Sequence, residues 1–365
     1  MRDAPVCCGD LGPGNRAFGK RCGVEDPHVA REPRRHERTH VDRKRGQALD
    51  EPVRRRGVFG GQEHDATLPY TSAVLGEVLT AIVTPFNADG SVNVERFREL
   101  ATHVVDHGSD GLVVTGTTGE SPTLSDDEKL ELFAAAVEAV GDRATVIAGT
   151  GTYDTTHSAH MTERADALGV DGFLVVTPYY NKPPQRAIVR HFEEIAARTD
   201  KPIVAYNIPA RVVVNIEPQT IARLAEIDNV VAVKQAYDDL DEARFIARET
   251  RLDLYSGDDP ITFAFLELGG VGVVSVTAHI WGVQIKEMIR RFRDGDLEGA
   301  RAIHEELRPS YELLKVQTNP IAIKSALNLL GHEVGGHRLP MVEPNELELD
   351  QIRGCLERGG VLQHA

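Results

Sequence analysis

The chain has 365 residues, is 41% hydrophobic and 27% charged, and carries a formal net charge of −15, which excludes fibrous and wholly disordered proteins. No apolar run reaches the ~18 residues of a membrane helix, and the first residues lack the apolar stretch of about 7–15 that marks a secretory signal. Of four cysteines, Cys7, Cys8 and Cys22 crowd the N-terminus and only Cys355 lies elsewhere; no disulfide framework is expected, and a reducing cytoplasm is the expected setting.

Residues 1–75 read as a separate extension. Residues 1–70 sum to +3 and the remainder to −18, and an acidic body argues against nucleic-acid binding through the fold. The runs REPRRHERTHVDRKRG (31–46) and PVRRRG (52–57) have no apolar periodicity, so the extension is expected to be disordered. A basic nucleic-acid arm and a translation start placed too far upstream stay open as alternatives. The acidic residues disfavour a transit peptide. His36-Glu37-Arg38-Thr39-His40 fits the H-E-x-x-H pattern, but that mechanism needs a rigid helix. Its charged flanks and Pro33 mark a coincidence, and no metal site is expected.

From Val78 short apolar runs alternate with helical stretches. VLTAIVTPF (78–86), GLVVTGTTG (111–119), TVIAGTG (145–151), GFLVVTPYY (172–180), KPIVAYNIP (201–209), VVAVKQA (230–236), LDLYSGDD (252–259) and GVGVVSVTAH (270–279) read as parallel strands covered on both faces. Between them, 94–108 sets Phe97, Leu100, Val104 and Val105 on one stripe ending at Gly108, 125–141 starts at a Ser125 cap with an acidic first turn, and 191–199 is also helical. Eight such alternations predict an α/β fold, a (β/α)8 TIM barrel over 76–294. The absence of G-x-G-x-x-G after the first strand counts against a dinucleotide fold. Residues 295–365 are expected to form a C-terminal helical module: 295–315, 319–331 with Asn319 as cap and Pro320 at its first helical position, and 345–360.

In such barrels the chemistry sits at the C-terminal strand ends. Lys234 is the sharpest signal there, a lone lysine in a Val/Ala strand. A buried lysine is costly unless paired, and burial favours the neutral amine that attacks carbonyls; a lysine that reaches solvent at the strand end or pairs with an acid is the competing reading. Tyr206 and Tyr180 serve either as packing aromatics or as proton carriers. Thr117 and Thr118 form either a turn or a pair of donors for a carboxylate. Arg211 is either a surface ion pair or a second carboxylate clamp.

GTTGESPTL (116–124), VVTPYYNKPPQ (175–185), YNIPAR (206–211), VAVKQA (231–236), SGDD (256–259) and GGVGVVSVTAH (269–279) together resemble the dihydrodipicolinate synthases, over about residues 76–342. That group lies within a superfamily of pyruvate Schiff-base enzymes that includes N-acetylneuraminate lyase and sugar-acid aldolases. The resemblance implies condensation of pyruvate with L-aspartate 4-semialdehyde; a 2-keto-3-deoxy sugar-acid aldolase or dehydratase is the alternative, with Arg211 as the discriminator. It further implies Lys234 as the Schiff-base lysine, Tyr206 as the general acid/base, Thr117 as the relay hydroxyl and Tyr180 as a tyrosine lent by a neighbouring subunit. Thr118 is similar to the ligand of the pyruvate carboxylate, Arg211 to that of the aldehyde's carboxylate, and Gly257 and Val274 to positions whose backbones line the site. Gln235 departs from the more usual Glu after the lysine. No metal or organic cofactor is implied, because the lysine is the electron sink. The implied assembly is a homotetramer, with no nucleic-acid or membrane partner. Lysine-inhibited members hold the amino acid with an asparagine and a glutamate; Tyr153 and His157 stand there in this chain, so lysine inhibition is not expected.

Overall fold

In the computed structural model of the chain the described residues are 75–363. The arginine-rich runs, the three N-terminal cysteines and the H-E-x-x-H match lie outside the described residues.

Strands β1 (Val78–Ala81), β2 (Gly111–Val114), β3 (Thr145–Gly149), β4 (Gly172–Val176), β5 (Ile203–Asn207), β6 (Val230–Gln235), β7 (Asp253–Ser256) and β8 (Gly272–Ser275) form a closed parallel barrel in sequence order. β8 closes on β1 with Leu79 opposite Val274. Helices α1 (Val94–Asp106), α2 (Asp126–Val140), α3 (Thr155–Asp166) and α4 (Gln185–Ala196) follow the first four strands. After β5 come α5 (Pro209–Val212) and α6 (Pro218–Leu224); α7 (Leu240–Glu249), α8 (Thr262–Glu267) and α9 (Ala278–Arg293) follow the last three strands. Four more helices follow among the described residues: α10 (Leu297–Glu306), α11 (Arg308–Val316), α12 (Ile321–Leu329) and α13 (Glu346–Arg358). The fold is the expected TIM barrel with added C-terminal helices.

The period-two alternation of a strand sorts the core into two layers. Leu79, Val113, Ile147, Leu174, Val204 and Ala232 fill the barrel interior, with Tyr255 and Val271 at the same level of burial. Val78, Leu112, Val146, Phe173, Ile203 and Val233 face the helices. The Tyr255 hydroxyl donates to the Gly76 carbonyl at 2.7 Å, across the N-terminal end of the barrel. On α1 the stripe of Phe97, Leu100 and Val104 is buried, each contributing about 1.5–3 kcal/mol. Ser125 and Glu128 make a reciprocal capping box at the start of α2, which satisfies two backbone N–H groups that a helix start leaves unpaired.

Several boundaries differ from expectation. Each strand stops short of its apolar run, because the run continues into the loop at the barrel mouth. After Val176, for example, Thr177 gives both its N–H and its hydroxyl to the Tyr206 carbonyl, each at 2.9 Å. The helix expected over 191–199 begins at Gln185, and the stretch 295–315 breaks into α10 and α11. Pro309 sits in the first turn of α11, where its missing N–H costs least. Asn319 is not the cap of α12, which starts at Ile321 with Pro320 in the cap position. Its side chain is used elsewhere.

Candidate active site

Alternation along β6 follows from the two core layers. Ala232 lies in the interior, so Lys234, two residues on, projects into the same space at the C-terminal end of the barrel. Lys234 is 5% exposed. Tyr206 on β5 is directly opposite it in the ladder, and the lysine Nζ lies 4.2 Å from the centroid of the tyrosine ring. The barrel register thus brings the amine and the phenol side chain together.

Gln235, one residue on, faces the opposite side of the sheet, where Asn207 Nδ2 donates to its Oε1 at 3.0 Å and its Nε2 donates to Glu242 at 3.3 Å. The departure at Gln235 therefore bears on the wall behind the strand and not on the face that carries Lys234. Burial raises the Glu242 carboxyl above its usual range, with Asn215 and Gln185 completing this outer polar cluster.

Thr117 and Thr118 stand on the loop after β2, half-buried and buried respectively. Two non-glycine residues bracket that loop in the left-handed region, Thr115 at φ 55° and Glu120 at φ 54°; each such residue costs on the order of 1–2 kcal/mol. The loop is held between them by Thr84, whose hydroxyl donates to the Gly119 carbonyl at 2.7 Å. Asn319 Nδ2 donates to the Thr118 hydroxyl at 2.9 Å, and the Asn319 carbonyl lies 3.4 Å from Arg211 Nη2. A residue of the C-terminal module thus links the two expected carboxylate ligands.

Arg211, left open between a surface ion pair and a carboxylate clamp, is exposed on the short helix α5. Tyr180 has a left-handed backbone, φ 72°, and is 90% exposed. Among the described residues no hydrogen bond joins Thr117 to Tyr206, or Tyr180 to either. Gly257 follows β7 where a Cβ would lie 2.6 Å from Ala236 Cβ, so only glycine lets the ends of β6 and β7 approach this closely. Val274 lies inside the barrel on β8.

The sequence reading assigned no part to four residues. Buried Asp259 ties down the end of β8, accepting from the Val276 N–H at 2.9 Å, from the Thr277 hydroxyl at 2.8 Å and from the Ser275 hydroxyl. Its neighbour Asp258 is pushed up to about 6 by loss of water around part of its side chain and by repulsion from Asp259, with Lys234 and Lys315 offsetting. Glu120 and Lys324 form an ion pair at 2.8 Å, with side chains 1% and 0% exposed. Lys324 stands alone in the apolar run IAIKSAL, the same signal that singled out Lys234 in VAVKQA.

Comparison with known proteins bears on the family. A sequence model described as the Dihydrodipicolinate synthetase family matches residues 74–358. The 4-hydroxy-tetrahydrodipicolinate synthase of Moorella thermoacetica is 49% identical over 289 residues, covering 79% of this chain and 99% of that one. Among solved structures, a dihydrodipicolinate synthase from Cyanidioschyzon merolae with lysine bound superposes with TM-score 0.78 at 43% identity, covering 79% of this chain and 99% of its own. The chloride-inhibited enzyme of Acinetobacter baumannii, complexed with pyruvate, gives 0.77 at 33% identity, covering 79% and 100%. With a lysine and a tyrosine paired at the mouth of the same barrel, and a match along nearly the whole described region, the chain belongs to the dihydrodipicolinate synthetase family.

Proposed function

We propose that the chain condenses pyruvate with L-aspartate 4-semialdehyde to give 4-hydroxy-tetrahydrodipicolinate, the first committed step toward diaminopimelate and lysine. The observation that carries the reading is the buried Lys234 with its Nζ 4.2 Å from the Tyr206 ring at the barrel mouth.

The Lys234 amine adds to the ketone carbon of pyruvate, and water leaves to form an iminium. The iminium draws electrons from the methyl group, one methyl proton departs, and an enamine forms. Its carbon attacks the aldehyde of the second substrate. The amine of that substrate then adds to the iminium carbon and displaces Lys234, closing the ring and freeing the enzyme. In this scheme Tyr206 carries protons to and from the reacting oxygen and carbon. Thr117, and Tyr180 from a second copy, polarise its hydroxyl. Thr118 receives the pyruvate carboxylate and Arg211 that of the aldehyde, while the backbones of Gly257 and Val274 line the space between. The lysine itself is the electron sink, so the scheme calls for no metal or organic cofactor.

Tyr180 is too exposed to act within its own subunit as placed, which supports an assembly in which a neighbour covers it, a homotetramer built from tight dimers. Among the described residues no helix is long and apolar enough to cross a membrane, and a cytoplasmic setting fits the proposed biosynthetic role. The test is reduction with borohydride in the presence of pyruvate, followed by mass spectrometry, then a panel of aldehydes at fixed pyruvate. An adduct on Lys234 with turnover of aspartate semialdehyde supports the reading; turnover of sugar-derived aldehydes alone would replace it with a sugar-acid aldolase.

A further inference from the structure

The loop that carries Thr117 and Thr118 begins and ends on residues in an unfavourable backbone conformation, and each end has its own restraint. Thr115 is held by its hydroxyl, which donates to the Gly149 carbonyl at 3.1 Å. Glu120 is held by its carboxylate: one oxygen accepts from Lys324 Nζ at 2.8 Å and the other from the Arg338 backbone N–H at 3.2 Å. Lys324 also donates to the Gly336 carbonyl, and its ammonium lies 4.3 Å from the centre of the Phe86 ring. The Glu120 N–H returns to the Thr117 carbonyl at 3.1 Å, so the carboxylate's position is transmitted to the hydroxyl-bearing residues. Asn319, just before α12, and Lys324, within it, grip the loop at two points.

Taking both charges out of water is expensive, and apolar residues of like volume commonly serve a fold as well or better. Burial drives the Lys324 amine below its ordinary range, with the Glu120 carboxylate working against that. What an apolar pair would lack is direction: a carboxylate fixed at both oxygens holds a left-handed glutamate that a methyl contact would release.

We propose that the Glu120–Lys324 ion pair is a positioning device that holds the Thr117–Thr118 loop in the shape that receives the keto-acid carboxylate. This rests on the functional reading above. Neither residue touches the reacting atoms; both act through the loop.

The test uses three variants of the full chain: Glu120→Asp, Lys324→Met, and the double variant Glu120→Gln with Lys324→Met. For each, the pyruvate concentration giving half-maximal borohydride trapping is measured beside the thermal midpoint and the KM for the aldehyde. The single changes are expected to lower the midpoint, Lys324→Met most, because it leaves a buried carboxylate unpaired. The double variant is expected to regain stability over Lys324→Met while its half-saturating pyruvate stays raised at least fivefold and its aldehyde KM moves less than twofold. Glu120→Asp, which keeps the charge but shortens its reach, should raise half-saturating pyruvate in the same direction. Wild-type half-saturation in the double variant and in Glu120→Asp would overturn the proposal, as would a parallel loss for both substrates that follows stability alone. A wild-type protein that forms no adduct with pyruvate would take down the functional reading, and this inference with it.

Discussion

Replacing Lys234 by alanine separates chemistry from folding at a single side chain. The variant is expected to lose roughly a thousandfold or more in turnover and to form no borohydride adduct. Its thermal midpoint should not fall, since removing a buried amine also removes a desolvation cost. Arg211 has a different weight. Because it is exposed on α5, its contact with a substrate carboxylate is worth about 1.5–3 kcal/mol, the range for a hydrogen bond to a charged group. Arg211→Ala should therefore raise the KM for aspartate semialdehyde by one to two orders of magnitude and leave half-saturating pyruvate nearly unchanged. Steady-state kinetics with each substrate varied in turn checks this. The placement of Lys234 beside Tyr206 was legible because a lysine in an apolar strand is conspicuous and the barrel register does the rest. Lys324 carried the same local signal in IAIKSAL but was not assigned a part, because its partner Glu120 lies 204 positions away and no local pattern names it.

At the scale of elements, all eight strands were visible as apolar runs, and their ends were not. The runs continue into the mouth loops, where side chains such as Thr177 and Asp259 replace ladder bonds. Helix α12 shows the same limit. An Asn-Pro pair reads as a cap, but Asn319 is drawn to Thr118 by contacts that only the closed barrel creates. The start of α9 makes a prediction about pH. Buried His279 Nδ1 lies 2.7 Å from the Val276 carbonyl, and its Nε2 lies 3.1 Å from the Val83 N–H. That pairing requires a neutral ring, with the proton on Nδ1 and Nε2 accepting. Burial accordingly lowers His279 to about 4, and His191 of α4, buried beside Thr155 of α3, likewise to about 4. Below the ordinary histidine range of about 6.5 the unfolded chain binds these protons and the folded chain does not. Stability should therefore fall as pH drops from about 6.5 toward 4, by roughly 1.4 kcal/mol per unit for each ring. Glu77 is pushed up to about 7 by burial and by Asp110, and it acts with the opposite sign over part of that window. The informative quantity is thus the difference between wild type and His279→Gln in urea midpoints at pH 7, 6 and 5; the variant should show the shallower decline.

At the scale of the whole molecule, the proposed assembly and the expected response to lysine both involve residues of the loops after β3 and β4. Tyr153 and Tyr179 meet edge to face at 5.3 Å, beside the exposed Tyr180. Sedimentation should find a tetramer, and Tyr180→Phe should lower turnover without dissociating it; a fully active monomer would contradict the shared-tyrosine scheme. His157 Nε2 lies 3.0 Å from both Asp126 oxygens, and Asp154 caps α3 by accepting from the Thr156 and His157 N–H groups. Asp126 and Asp154 thus already have partners, and an incoming ammonium would have to displace them to offset its lost hydration. Millimolar L-lysine is expected to leave the rate nearly unchanged in a steady-state assay, in contrast to strong inhibition, which would show that Asp126 exchanges partners. His157→Glu is the substitution expected to create sensitivity.

The tyrosine that closes the far end of the barrel has a consequence for traffic. With Tyr255 bonded to Gly76 and packed among the interior side chains, the described residues fill the N-terminal end of the barrel, and the approach to Lys234 lies at the C-terminal end. Lys234 is buried and Arg211 exposed, so in the proposed scheme an aldehyde held by Arg211 would sit on the solvent side of the amine. The proposed chemistry sets its own order of arrival, because the enamine on Lys234 must exist before it can attack an aldehyde. In that scheme the keto acid enters first, the aldehyde follows, and the finished ring departs before the next turn begins.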